Sequence, residues 1–160
     1  MNDILPGDGA APSADGYVRA AAAVATGLPT DYGVDLHVGR HRIAVDEPTS
    51  HGGGDSGPTP VGLLISAVAS CTAITLRMYA ERKSWPLTDI RVHVAYEKGP
   101  EGANRITRRI DLIGPLDDAQ RARMLEIAER TPVTRAVREG TPIVPAADHH
   151  QKTPETKVQP

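Results

Sequence analysis

The succession of apolar periods along the chain predicts an α+β fold: antiparallel sheets around one long central helix, with two short helices after them. Three observations carry this. Apolar residues alternate with period two over residues 34–45 and again over 90–112. Between these segments lies a long helix candidate, residues 60–83, whose first half is apolar on nearly every side, as a helix covered by other elements would be. From residue 117 the period returns to that of an amphipathic helix. Strands, long helix, strands and two helices is not the alternation that builds a parallel sheet, and 160 residues suffice for one core.

Residues 1–15 hold Pro6, Gly7, Gly9, Pro12 and Ser13 among short side chains and read as a flexible N-terminal arm. Ala20 to Leu28 reads as an Ala-rich strand; Asp3, Asp8 and Asp15 stand where a secretory leader would carry positive charge. In the next segment Gly39-Arg40 suits a two-residue type II′ turn, pairing Val38 with His41, Leu36 with Ile43 and Val34 with Val45, which makes one face apolar. The central helix takes Thr59 as N-cap and Pro60 as its first residue, and runs to a stop expected at Pro86. Its length of about 36 Å exceeds what about 100 other ordered residues can cover, so a homodimer is expected. A second hairpin joins Ile90, Val92, Val94 and Tyr96 to Ile106, Ile110 and Leu112 through the loop Gly99–Asn104. A helix from Asp117 to Arg130 turns Met124, Leu125, Ile127 and Ala128 inward. Thr131-Pro132 opens the last helix, which Gly140 closes in the C′ role. The folded domain is residues 16–144, and residues 145–160, rich in proline and poor in large apolar side chains, form a flexible C-terminal tail.

Composition narrows the function classes. Eighteen basic and 20 acidic residues give a net charge of −2, which offers no excess charge to a phosphate backbone, and 3% aromatic residues with no Phe leave few stacking platforms. No nucleic-acid partner is expected, and no membrane, since no stretch approaches the roughly 20 consecutive apolar residues of a bilayer-spanning helix. One cysteine cannot make an internal disulfide, so the cytoplasm is the expected compartment. No cofactor and no metal is expected: His37 and His41 point to opposite sheet faces, and His149 and His150 lie in the tail. Gly52, Gly53, Gly54 and Gly57 lack the Gly-Lys-Ser/Thr of a phosphate loop and read as a flexible lead into the helix. Asp46 and Glu47 read as a solvated strand end, Arg77, Arg82 and Lys83 as a solvated helix end.

Cys71 is the one candidate nucleophile. A helical wheel places Leu64, Ala67, Val68, Ile74, Thr75 and Met78 within about 60° of it, surroundings that favour an inert thiol. A reactive thiolate needs a positive partner from outside the helix, because Cys71 lies far from the N-terminal dipole. Arg82 shares its face but stands about 16 Å along the axis.

The run DEPTSHGGGDSGPTPVGLLISAVASCTAITLRMYAERKSWPL, residues 46–87, resembles the osmotically inducible protein C (OsmC-like) family, which includes the organic hydroperoxide resistance proteins. The likeness rests on the Gly-rich loop, the Gly-Pro-x-Pro helix start, a cysteine eleven residues past Pro60 and a threonine after it; IAERTPVTRAVREGTPI, residues 127–143, is similar to the family's second motif. The resemblance implies an intertwined α+β homodimer with paired central helices and thiol-dependent reduction of peroxides at the interface. It implies Cys71 as the peroxidatic cysteine, with Glu47 and Thr75 as weaker site candidates. Thr131 stands where the family has a resolving cysteine, so that position is lost, and Val61 where it has a glutamate, lost likewise. Neither Arg19 nor Arg40 aligns with its early-strand arginine. The expected function is therefore hydroperoxide reduction by one cysteine with an external thiol reductant. The alternative is a non-catalytic dimer that binds a small hydrophobic ligand at the subunit interface.

Overall fold

In the computed structural model of the chain, described for residues 16–29 and 32–145, the order of elements is that of an α+β fold. The arm and all of the tail after Pro145, with His149 and His150, lie outside the described residues. Strands β1 (Ala23–Gly27), β2 (Val34–Val38) and β3 (His41–Val45) form an antiparallel sheet in that order. The pairs Val38 with His41, Leu36 with Ile43 and Val34 with Val45 are those the sequence predicts. Gly39 has φ of 56°, the positive value a type II′ turn requires at its first central position.

Helix α1 (Pro60–Arg82) starts where predicted, with Thr59 Oγ1 accepting from the Gly62 amide at 3.0 Å. Its end corrects the expectation that Pro86 stops it. The amide of Ser84 donates to Glu81 O at 3.0 Å and that of Trp85 to Ala80 O at 2.9 Å. These are the paired bonds of a Schellman motif, with Ser84 at φ 53° in the place usually held by glycine. Contrary to the sequence expectation, α1 is long and apolar enough to cross a membrane. Its hydroxyls turn back on the helix: Ser66 donates to Gly62 O, Ser70 to Ser66 O and Thr72 to Val68 O, at 2.7 to 2.8 Å. That bonding mutes the polarity of the hydroxyls along the apolar run.

Strands β4 (Asp89–Lys98) and β5 (Asn104–Ile113) form the second antiparallel sheet, against which α1 packs. Arg77, expected to be solvated, donates to Leu87 O at 2.8 Å and so ties α1 to the chain leading into β4. Helix α2 (Asp118–Ala128) opens on a reciprocal capping box between Asp117 and Gln120. Met124 and Ala128 are buried as expected, but Leu125 is exposed, because one step along a helix turns a side chain about a quarter-turn from its neighbour. Helix α3 (Pro132–Glu139) ends on Gly140, which has positive φ but ψ of 141°, and so does not make the left-handed C′ turn. The core gathers Leu76 and Ala80 of α1, Leu87, Leu116, Met124 and Ala128, with Trp85, Ile90, Ile110 and Leu112 around it. The sheet β1–β2–β3 packs extensively on none of α1, β4, β5, α2 or α3 among the described residues. It is joined to them by the segment 46–59.

Candidate functional site

The segment 46–59 is organised by Asp46. Expected at a solvated strand end, Asp46 is buried, and its carboxylate accepts from the amides of Glu47, Gly54 and Ser56 and from the Ser56 hydroxyl, at 2.8 to 3.2 Å. Hydrogen bonds from Ser56, backbone first, hold its carboxyl below the usual range. The glycines serve close approach more than flexibility: a Cβ on Gly53 would sit 1.9 Å from Glu47 O, and one on Gly57 2.1 Å from Ala44 O. The loop is thus stapled to β3 and delivers the chain to Thr59. Glu47 is half-buried; its side chain faces His51 Nδ1 at 3.7 Å. Val61, one turn further, is exposed.

Cys71 lies in the middle of α1 as a free thiol of intermediate burial. Val68 and Thr75, on its side of the helix, are buried, whereas Leu64, Ile74 and Met78 are exposed. The thiol therefore borders an apolar surface and is not sunk in a core. Among the described residues no hydrogen bond or ion pair involves its sulfur. Arg19 and Arg40 are both exposed, and neither is brought to it.

Next to Cys71 the fold builds a polar cluster that sequence reading did not identify. Arg108 of β5, its side chain 11% exposed, donates through Nη1 to Thr72 Oγ1 at 3.1 Å, Ala128 O at 3.0 Å and Thr134 Oγ1 at 3.0 Å. Its Nη2 reaches Glu129 Oε1 at 2.6 Å. Arg138 of α3 grips the other carboxylate oxygen of Glu129 and its main-chain carbonyl. That pairing, chiefly with Arg138, holds the Glu129 carboxyl below the usual glutamate range. One guanidinium thus joins α1, the end of α2 and α3. A signal was legible: Arg108 occupies the apolar phase of β5, between Ile106 and Ile110.

Thr131 belongs to the same cluster. It is buried at the N-cap of α3, as expected, but makes no side-chain cap bond; its hydroxyl donates to Thr134 Oγ1 at 2.7 Å. The Arg108-bound hydroxyl of Thr134 is the partner within its reach. The position read as a lost resolving cysteine is therefore one helix turn from a residue that Arg108 bonds, as Cys71 is one residue from Thr72. Beside the cluster, α1, β4–β5 and α3 enclose a groove of about 560 Å³. Leu64, Val68, Tyr96, Ile106 and Val137 line it together with Arg108, Glu129 and Arg138. Among the described residues no group of three His, Cys, Asp or Glu side chains is placed to hold a metal ion.

The arrangement can be set against known proteins. No curated protein matches the sequence. The chain is similar in structure to an OsmC-like protein from Mycoplasma pneumoniae, with a TM-score of 0.65 and 16% identity over 75% of this chain and 88% of that one. It is also similar to an organic hydroperoxide resistance protein OsmC from Legionella pneumophila, with a TM-score of 0.57 and 20% identity over 76% and 91% of the two chains. For the organic hydroperoxide resistance protein OhrB of Bacillus subtilis the TM-score is 0.52 and the identity 20%, over 75% and 91%. These likenesses establish the architecture of sheets around a long helix. Residues 52–145, which span the Gly-rich loop, the whole of α1 and the arginine cluster, match the OsmC-like protein family, and the chain belongs to that family.

Proposed function

We propose that the protein reduces organic hydroperoxides through Cys71, as a homodimer in a reducing compartment such as the cytoplasm, with an external thiol as reductant. The observation that carries this reading is the free, half-buried thiol set in the middle of a helix whose flanking Leu64, Ile74 and Met78 present apolar surface to an organic substrate. Membership of a family that includes hydroperoxide resistance proteins supports it.

In this reading the Cys71 thiolate attacks one peroxide oxygen. The O–O bond breaks, the leaving alkoxide takes a proton and departs as alcohol, and Cys71 becomes a sulfenic acid. Since the chain has no second cysteine, an external thiol condenses with the sulfenic acid, releasing water, and a second thiol resolves the mixed disulfide. Two thiols are oxidised to one disulfide for each hydroperoxide reduced. Thr131 takes no covalent part, and neither does Val61. Arg108 acts as a positioning residue, since its bond to Thr72 fixes the helix turn beside the sulfur.

The test is consumption of cumene hydroperoxide by the purified protein with dithiothreitol, against C71S. The wild-type rate should stand well above that of the variant, and the peroxide-treated protein should gain one oxygen in mass before thiol is added. Equal, near-background rates in both would overturn the reading. A second reading, binding of a small hydrophobic ligand without catalysis, draws support from the apolar wall of the groove and would survive that result.

A further inference from the structure

The groove beside α1 combines two features that belong together in a binding site. Its apolar lining, Leu64, Val68, Tyr96, Ile106 and Val137, comes from four elements, and its volume of about 560 Å³ is that of a small-molecule site. Its polar lining carries unbalanced charge. Two guanidinium groups, Arg108 and Arg138, share the single carboxylate of Glu129, which leaves one positive charge over. The third arginine at the groove, Arg105, adds nothing to the balance, because Glu97 neutralises it at 2.6 Å. Arg108 is spent: its bonds run to Thr72, Ala128, Thr134 and Glu129. Arg138 is not. It is more than half exposed and lines the groove, and its described bonds all go to Glu129, which leaves donors of its planar fork unused.

We infer that this groove binds a small amphipathic carboxylate, its apolar tail along Leu64, Val68 and Ile106 and its head on Arg138. A surplus of one positive charge suits a monoanion, and a guanidinium receives a carboxylate through two parallel hydrogen bonds. Glu129, itself anchored by the largely buried Arg108, holds Arg138 in place, so the head group meets a positioned cation and the tail loses water to an apolar lining already formed. The inference rests on the ligand-binding reading of this groove and not on Cys71 chemistry, and it adds a preference for a charged head that a thiol acting on neutral hydroperoxides does not require.

The experiment is calorimetric titration of the full chain, in the C71S background, with decanoate, 1-decanol and decyltrimethylammonium below their aggregation limits. Decanoate should bind at least about tenfold more tightly than decanol, the weight of one charge-assisted hydrogen bond, and the cation weakest of all. R138Q removes the surplus charge and should bring decanoate to the affinity of decanol, leaving decanol unchanged. E129Q leaves two cations without their carboxylate and should tighten decanoate binding, a change opposite in sign to any general loosening of the fold. Equal affinity for the three ligands, no binding of decanoate, or decanoate binding indifferent to both substitutions would overturn the inference. Because the readout is binding to a protein without its thiol, failure of the peroxide assay does not touch it, and its own failure leaves that assay standing.

Discussion

At the scale of single residues the molecule concentrates its polar interactions on two acidic side chains with unequal settings. Asp46 receives only neutral donors and organises one loop; Glu129 lies between two guanidinium groups and organises the meeting of α2, α3 and β5. Both carboxyls are held below their ordinary range, so folding favours the ionised form. The sign follows: the stabilisation is complete above the unfolded-state value, 4.5 for Glu129, and is lost as pH falls below it towards the depressed folded value. E129Q should therefore lower the melting temperature at pH 7 and converge on the wild type as both are acidified below about pH 4. Thermal melts of the pair across pH 3 to 8 test this, and a constant difference over that range would refute it. Replacing Arg108 strikes harder, since Thr72, Thr134 and the Ala128 carbonyl lose their shared donor inside the fold. R108L should cost about 2–3 kcal/mol in urea unfolding, and a loss under about 0.5 kcal/mol would show that the cluster does not hold the helices together.

At the scale of elements, what could be read ahead was what local chemistry decides. The β2–β3 register followed from Gly39 and one apolar face, and the start of α1 from Thr59 and Pro60, because a turn and a cap are specified within a few residues. What escaped depends on partners distant in sequence. Asp46 looked like a solvated strand end because nothing local shows that Gly54 and Ser56 return to it. Arg108 was not singled out because its acceptors lie on α1, α2 and α3. Leu125 was misplaced because the apolar pattern of α2 does not fix which of two adjacent residues faces the core. The end of α1 offers a test of a different kind. Ser84 completes a Schellman motif at φ 53°, a conformation costly for any residue with a Cβ. S84G should stabilise the protein by about 1 kcal/mol, seen as a higher urea midpoint with unchanged slope, and a destabilised S84G would mean that the serine side chain contributes more than the backbone strain costs.

At the scale of the whole molecule the described residues leave a large apolar surface exposed. The exposed side of α1 carries Val61, Leu64, Ile74 and Met78, at 39% to 55% exposure, and every residue of β1 is exposed, with Val24 at 64%. Leu64, Ile74 and Met78 lie on the Cys71 side of a helix that packs on β4, α2 and α3 through its other side. Such a stripe beside a sheet with little purchase on the body is the kind of surface that marks an interaction site. The proposed homodimer supplies the missing cover from a second copy, most economically by setting Ile74 and Met78 of the two α1 helices against each other. A substrate would then meet Cys71 in a space drier than the single chain provides. Light scattering at micromolar concentration should therefore return twice the chain mass of 17.0 kDa. I74E places a charge on the middle of the stripe and should shift the mass towards that of one chain while the far-ultraviolet circular dichroism of the helices persists, since Ile74 contributes nothing to the buried core. A wild-type mass of one chain would remove the dimer, and with it the reason for so apolar a helix to stand half uncovered in water.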